Sequence, residues 1–362
     1  MKKLKILYTI PNFDTAGSGK VLYDLAKGLD KEQFDVEIAC SHNKGAFFQE
    51  IEKLSLPIHL IQTTCKPKPY LSLLQRIKPY SAFIKDNKFD VVHSWHWSSD
   101  WTEVLGAKLG GAKFLYTKKA MTWGNVHWKI RSYLSDFIIT INDEMKAYFP
   151  NKKHQQLISL GLDTDYYSPE HFPPRENDGL FRIITVANLV AVKGIEVLIN
   201  AVLMLDNPNI VLTILGDDRS DYAIGLKQNV KRLNQQNRIK FLGKHTDVRP
   251  FLAQSDLYVI PTLDEGRKEG MPMALVEAMS MGIPVLGSAI SGIKFVLKDF
   301  PEFLFEASNS QQLANKINFL YKEPNDEKER IGTSLRTYAV QNFSIDRFIR
   351  AHENLYSSLL KK

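Results

Sequence analysis

Short, continuous apolar runs alternate with amphipathic, helix-like stretches along nearly the whole chain, and this alternation constrains the fold more than any other feature. The runs fall at 4–10, 35–41, 57–62, 90–95, 113–118, 137–142 and 156–161, and then at 182–189, 210–217, 239–244, 257–262, 284–288 and 303–306. A strand buried on both faces carries apolar side chains at successive positions, whereas a strand with one wet face alternates. Such runs separated by helices read as parallel sheets covered on both sides. Helix-like stretches include 20–29, 69–87, 195–205, 273–281, 310–321 and 344–360. The pattern breaks at 167–179, YSPEHFPPRENDG, where Pro, charge and turn residues read as a linker. The expected fold is α/β, with two Rossmann-like domains at 1–170 and 171–343 and a C-terminal helix, 344–362, in position to cross back to the first. Open parallel sheets bind ligands beyond the carboxyl ends of their strands. The two domains are therefore expected to face each other across a ligand-holding cleft.

Composition removes several classes. No stretch approaches the ~20 apolar residues that span a bilayer. The start, MKKLKILYTIPNF, runs into Pro-Asn rather than a small-residue cleavage site, so it reads as the first buried strand. Cys40 and Cys65 form no disulfide framework or metal-ligand spacing, and the histidines form no HExxH-like cluster, which suits a reducing cytoplasm. The net charge of +7 attracts phosphates, whether of a nucleotide, a nucleic acid or an anionic lipid. No helix-turn-helix, RRM or zinc pattern supports nucleic acid. The GSGK run at 17–20 lacks full P-loop spacing, and Val21 follows Lys20.

The most informative segment is Glu269-Gly270-Met271-Pro272-Met273-Ala274-Leu275-Val276-Glu277 and the AMSMGIPVLGS that follows. A polar loop, 264–270, leaves a buried strand. Pro272 suits the first position of a helix. The amides of Met271, Met273 and Ala274 then stand open at the helix start, as an anion site requires. Glu269 precedes that start and Glu277 lies a little over one turn inside. One carboxylate then sits beside a sugar while the other accepts two ribose hydroxyls, with phosphate between them. A capped helix with two surface glutamates would explain the acids alone, but not the whole loop–helix–Gly282-Ile283-Pro284 unit. Lys193, in Val192-Lys193-Gly194 between a buried strand and a helix, is well placed to face a phosphate. A solvated lysine is the alternative there.

An E-x7-E motif followed by EAMSMGIPV resembles the retaining GT-B glycosyltransferases of family 4. The resemblance runs through DTAGSGKVLYDLAKGL at 14–29, FDVVHSWH at 89–96, ISLGLD at 158–163, VANLVAVKGIEVL at 186–198, Leu215-Gly216-Asp217, Phe241-Leu242-Gly243 and 256–262, in family order. It implies a metal- and cofactor-independent hexosyltransferase of class EC 2.4. Such an enzyme moves a sugar from a UDP- or GDP-sugar to a glycan or lipid-linked acceptor in cell-surface polysaccharide, lipopolysaccharide or glycolipid synthesis. By that resemblance Glu277 binds the donor ribose, Glu269 sits at the sugar hydroxyls and Lys193 offsets the leaving diphosphate, with Glu269 and Lys193 the catalytic pair. Gly270, Met271, Pro272, Met273 and Ala274 line the phosphates and sugar. Gly17, with Gly19, lets the first domain's backbone approach the anomeric centre.

Two departures from the family stand out. Asn188 occupies a position where the family often has Arg, and Arg267 or Lys268 would supply the missing cation. Where the family often has a His, the run is YTKKAMTW, so Lys118, Lys119, His93 and His96 become the acceptor-side candidates. The stretches 66–88 and 118–131 mix cations with aromatics. They read either as faces touching an anionic membrane, peripheral on the inner face of the plasma membrane, or as solvated helix faces with core aromatics. The other functional classes are a non-catalytic sugar-nucleotide-binding protein and a basic nucleic-acid-binding protein.

Overall fold

The computed structural model describes residues 2–14, 16–121, 123–175, 178–266 and 269–360. Each expected strand is present: β1 (Leu4–Thr9), β2 (Phe34–Cys40), β3 (Ile58–Leu60), β4 (Val91–Ser94), β5 (Lys113–Lys118), β6 (Phe137–Thr140), β7 (Gln155–Leu157), β8 (Phe181–Val186), β9 (Ile210–Leu215), β10 (Ile239–Gly243), β11 (Leu257–Ile260), β12 (Val285–Ser288) and β13 (Leu304–Phe305). They form one sheet in the order β3-β2-β1-β4-β5-β6-β7 and a second in the order β10-β9-β8-β11-β12-β13. All pairings are parallel. The central strands β4 and β11 are buried at every position, while the edge strands β3 and β7 are half-wet. In each sheet the chain builds outward one way and then the other, so the order reverses between β1 and β4 and between β8 and β11. The turns after those strands diverge and leave a crevice at their carboxyl ends.

The chain forms two compact units, one of residues up to Gly161 together with the helix Ile345–Leu360, the other Leu162–Ser344. The passage between units thus precedes the expected 170/171 boundary. The Leu162 amide donates to the Phe343 carbonyl at 2.8 Å, and Leu162 bridges Ser344 in parallel. The Tyr167 carbonyl accepts from Ser280 Oγ at 2.7 Å and Arg336 Nη1 at 3.1 Å. The first residues of the expected linker are therefore bound into the second unit. The helix Asn325–Phe343 was not expected. Gly332, Thr333, Ser334 and Thr337 all weaken its intrinsic propensity. Burial of Leu335, Ala339 and Phe343 on one face, and Asp326 and Glu327 in its first turn, sustain it.

The helix Ile345–Leu360 docks on the first sheet through a fully buried aromatic and imidazole group. His93 Nδ1 shares a hydrogen bond with Tyr356 Oη at 2.6 Å, and its Nε2 shares one with Thr117 Oγ1 at 2.8 Å. Tyr356 Oη also meets Tyr8 Oη at 3.2 Å, and His352 stacks on His93 with ring centroids 5.7 Å apart. Burial pushes the His352 imidazole down to about 4. Burial, with His352 and Lys119 nearby, also holds His93 well below the usual histidine value. Both rings fold neutral, whereas the unfolded chain takes up their protons below the ordinary value of 6.5. Their contribution is complete above that pH and is lost as pH falls toward 4. Urea unfolding of wild type should weaken across that window, and His352→Leu should reduce the fall by about 3 kcal/mol. Parallel pH profiles for the two proteins would exclude the imidazole as the cause.

Candidate functional site

At the reversal point of the second sheet, β8 and β11 lie side by side, and the turns after them carry Lys193 and Glu269. Beyond β8 the chain passes the exposed Asn188 and coils into a 3₁₀ turn, Ala191–Lys193. Gly194 follows at φ +62°, a conformation that disfavours a side chain. A Cβ there would strike the Pro261 carbonyl oxygen and the Leu263 side chain. The Leu263 amide donates to the Val192 carbonyl at 2.8 Å. These contacts clamp the Lys193 turn to the exit of β11. Farther along, the Glu269–Gly270 backbone rests on Gly292, where a Cβ would stand 2.5 Å from the Glu269 carbonyl oxygen. From these supports the Lys193 ammonium and the Glu269 carboxylate form an ion pair, with side chains 23% and 20% exposed. Water still reaches both, so the pair is open to exchange with a ligand.

Pro272 is the N-cap of the helix Met273–Ser280 and not its first residue. Its backbone is extended (φ −80°, ψ 102°), and its carbonyl already accepts from the Leu275 amide at 3.1 Å. Met271 therefore precedes the helix, with its side chain buried. The expected set of three helix-start amides narrows to Met273 and Ala274, which meet no hydrogen-bond acceptor among the described residues. Such amides carry the positive end of the helix dipole. Glu277 is half-buried, with Tyr167 near enough for its charge to act on the phenol. Burial first, and the Glu277 charge second, push the Tyr167 phenol far up. Tyr258 on β11 is fully buried, and its hydroxyl has no hydrogen-bond partner among the described residues. Burial, then the charges of Glu277 and Glu269, raise its phenol well above the usual value. The second unit thus assembles one ammonium, two carboxylates and two open amides, a set suited to an anionic ligand that also bears hydroxyls. Arg267 and Lys268 lie outside the described residues.

In the first unit, Gly17 interrupts the helix Ala16–Gly28 with φ −8° and ψ −106°. Gly19 lies beyond the kink, and a Cβ there would meet the Phe13 and Phe47 rings at 3.0 and 3.1 Å. His93 is also corrected: it is fully buried with both ring nitrogens engaged, which leaves no imidazole surface for an acceptor. Lys118 is buried over the Trp128 ring at 3.9 Å, and burial, helped by Arg131, brings its ammonium down to about 7. It too lies beneath the surface. Lys119 donates to the Trp95 carbonyl. His96, 7% exposed, shares a hydrogen bond with Thr63 Oγ1 at 3.2 Å and stands 3.7 Å from Glu103.

The sequence reading missed Glu103 and the role of Arg131. Both are fully buried and joined at 2.8 Å, with Ser94 Oγ donating to Glu103 at 2.7 Å and Thr9 Oγ1 adding a further bond. The stretch 118–131 turns much of its aromatic and cationic content inward, with Val126 and Lys129 left exposed. Lys118, Trp128 and Arg131 are buried, and Trp123 stacks on Tyr148 at 5.3 Å. The stretch 66–88 keeps Lys66, Lys68, Lys78, Lys85 and Lys88 exposed, together with Tyr70, Leu71 and Leu74, while Tyr80 turns into the core. Tyr167 was missed because it sat in a segment read as linker, and Gly292 because a lone glycine after a strand carries no spacing signal. Among the described residues no helix is long and apolar enough to cross a membrane. No cluster of three or more His, Cys, Asp or Glu among them is placed to hold a metal ion.

Residues 15–166 match the profile of Glycosyltransferase Family 4, and residues 168–337 match that of Glycosyl transferases group 1. The chain is 24% identical over 366 residues to the UDP-Gal:alpha-D-GlcNAc-diphosphoundecaprenol alpha-1,3-galactosyltransferase of Escherichia coli, covering 92% of this chain and 91% of that protein. It is 23% identical over 331 residues to an uncharacterized glycosyltransferase of Haemophilus influenzae, covering 88% and 91%. Its fold is similar to that of a glycosyltransferase from Rickettsia africae, with TM-score 0.88 and 20% identity over 100% of both chains. Anabaena HepE in complex with UDP and glucose is also similar, with TM-score 0.77 and 20% identity over 98% of this chain and 100% of that one. At these identities the structural likeness is one of fold.

The buried pair in the first unit gives a direct test of its weight. Arg131→Met strands the Glu103 carboxylate in the interior and should cost about 3–5 kcal/mol in urea unfolding. The double change Arg131→Met with Glu103→Leu should recover part of that loss, and strictly additive losses would mean that the two groups do not interact.

Proposed function

Since this chain belongs to the group 1, family 4 glycosyltransferases and has their two Rossmann-like domains, we propose that it is a retaining enzyme. It takes a hexose from a UDP- or GDP-sugar and transfers it to a glycan or lipid-linked acceptor in surface polysaccharide, lipopolysaccharide or glycolipid synthesis. The observation that carries this reading is the Lys193–Glu269 ion pair at the β8/β11 reversal, with the Met273 and Ala274 amides and Glu277 beyond it. A nucleoside diphosphate presents the complementary groups: phosphate oxygens for the ammonium and amides, and ribose hydroxyls for Glu277. Glu269, released from Lys193 as the diphosphate takes over the ammonium, turns to the hydroxyls of the transferred sugar.

In the transfer itself, the bond from the anomeric carbon to the diphosphate oxygen breaks while positive charge grows on that carbon. Lys193 and the two amides stabilise the negative charge on the departing diphosphate. The acceptor hydroxyl attacks from the same face, and its proton passes to the diphosphate oxygen, which gives net retention. The residues named here provide the electrostatic stabilisation, so the reading needs no divalent metal. Arg267 or Lys268 supplies the cation that Asn188 does not, and the first domain binds the acceptor, with His96 and Lys119 as its remaining polar candidates.

The acceptor's lipid end would bring the protein to an anionic, cytoplasmic membrane face. The exposed face at 66–88 suits such a surface, since Leu71, at 103% relative exposure, and Leu74 and Tyr70 beside it offer apolar groups among lysines.

Thermal shift with UDP, GDP, ADP and their sugars, with DNA fragments as a control, tests the donor assignment. One of the UDP or GDP series should stabilise the protein, and Glu277→Ala should lose most of that shift. A shift retained in Glu277→Ala would remove the ribose assignment, and stabilisation by DNA alone would replace the whole reading. Separately, vesicles of anionic lipid should sediment the wild type at low salt and should sediment Leu71→Ser with Leu74→Ser much less. No sedimentation of wild type would end the membrane reading.

A further inference from the structure

We infer that Ser220 and Tyr222, at the start of the helix Asp221–Arg232, are positioning residues that fix the turn carrying Lys193 and so act on the donor diphosphate through its ammonium. This rests on the reading of Lys193 given above. β8 and β9 pair in parallel, so the turns that follow them leave from one sheet edge. The two turns meet there: a Cβ on Gly216, just beyond β9, would stand 1.7 Å from the carbonyl oxygen of Ala187, just beyond β8. From the β9 side, Ser220 Oγ donates to the Leu189 carbonyl at 2.7 Å. The Ile195 amide donates to Tyr222 Oη at 3.1 Å. These two bonds bracket the Lys193 turn, one before it and one after. The Leu263 amide holds the same turn from β11, which flanks β8 on the opposite side.

Each anchor meets a need that the turn cannot fill by itself. The first amides of a helix have no partner within it. At the helix Ile195–Met204 the N-cap is Gly194, which has no side chain to accept from them. Tyr222 takes that role from 27 residues away. A hydroxyl has one proton and two acceptor lone pairs. The Tyr222 proton goes to the Glu196 carboxylate, which leaves the oxygen lone pairs for the Ile195 amide. Burial, and then Glu196, push this phenol up, so it remains a donor. Ser220 also serves twice: its oxygen accepts from the Ala223 amide at 3.2 Å as the N-cap of its own helix, while its proton goes to Leu189. A lysine ammonium rides on a flexible four-carbon stem. The backbone beneath it therefore has to supply the precision with which it meets a diphosphate.

The experiment measures binding of UDP, GDP and inorganic pyrophosphate by calorimetry. The proteins are wild type, Tyr222→Phe, Ser220→Ala and Lys193→Met, together with each of the first two changes combined with Lys193→Met. Tyr222→Phe and Ser220→Ala each remove one oxygen. Each should weaken pyrophosphate and the preferred nucleoside diphosphate about 3- to 10-fold, the coupling expected within one bonded network. In the Lys193→Met background either change should weaken that nucleoside diphosphate by less than about twofold. Any fall in the ligand-free melting temperature should be the same with and without the Lys193 change, which separates stability from positioning. A purely structural lesion would weaken ligand binding equally in both backgrounds, and that result overturns the positioning role while the donor site stands. Wild-type binding by either single variant removes that residue from the role. If Lys193→Met binds as wild type, or none of the three ligands binds wild type, the Lys193 assignment fails and takes the roles of Ser220 and Tyr222 with it.

Discussion

The chemistry of the second unit depends on the parallel pairing of β8 with β11. Ile183 and Ile184 meet Leu257 and Tyr258 in register, and this brings together two segments more than seventy residues apart. Because both strands run the same way, both following turns leave from the same sheet edge. Because the chain order reverses between them, those turns part to leave a gap. Lys193 and Glu269 meet across that gap because Gly194 tolerates a left-handed backbone against Pro261 and because Gly292 lets the Glu269 main chain lie on the start of the next helix. A side chain at either glycine would move one partner of the ion pair, so the spacing of the charges is set by backbone sterics.

The first unit uses the corresponding edge differently. At the ends of β1 and β4, Thr9 and Ser94 bond to the buried Glu103, which pairs with the equally buried Arg131 and stands beside His96. Burying charges is costly unless each is paired and hydrogen-bonded, and here each is. The cluster fixes the loops leaving β4 and β5 without offering its charges to solvent. Lys118 and His93 belong to the same interior: one packs on Trp128, the other is enclosed by Thr117 and Tyr356. Of the four acceptor-side candidates, Lys119 is half-buried and His96 is 7% exposed, while His93 and Lys118 are enclosed.

The strands were legible because their signal is local. A strand such as Leu257–Ile260, apolar at each position and bounded by polar residues, has few other ways to avoid water. The same holds for the turn-helix segment from Glu269 to Glu277, where residue type and spacing alone imply open amides between two acids. The helix Asn325–Phe343 was not legible, since its glycine, serine and threonines argue against a helix and only the burial of Leu335, Ala339 and Phe343 argues for it. Pro272 shows the limit of local rules at a finer scale. Proline suits both the cap and the first turn, and it is the extended ψ of 102° in the folded chain that makes Pro272 the cap.

What the sequence determined by itself was the class of fold, the number of sheets and the identity of the acid–amide–acid segment, because each is written in neighbouring residues. Which polar side chains face outward, and which partner each one finds, depends instead on contacts made in the folded chain. His93, Lys118 and Arg131 look like surface chemistry in one dimension and are interior groups in three. Tyr167 looks like linker, yet its carbonyl is bound by Ser280 and Arg336 of the second unit. The physical reason is that burial and pairing are properties of contacts between distant segments, and composition along the chain carries no record of which segments the parallel sheets will bring together.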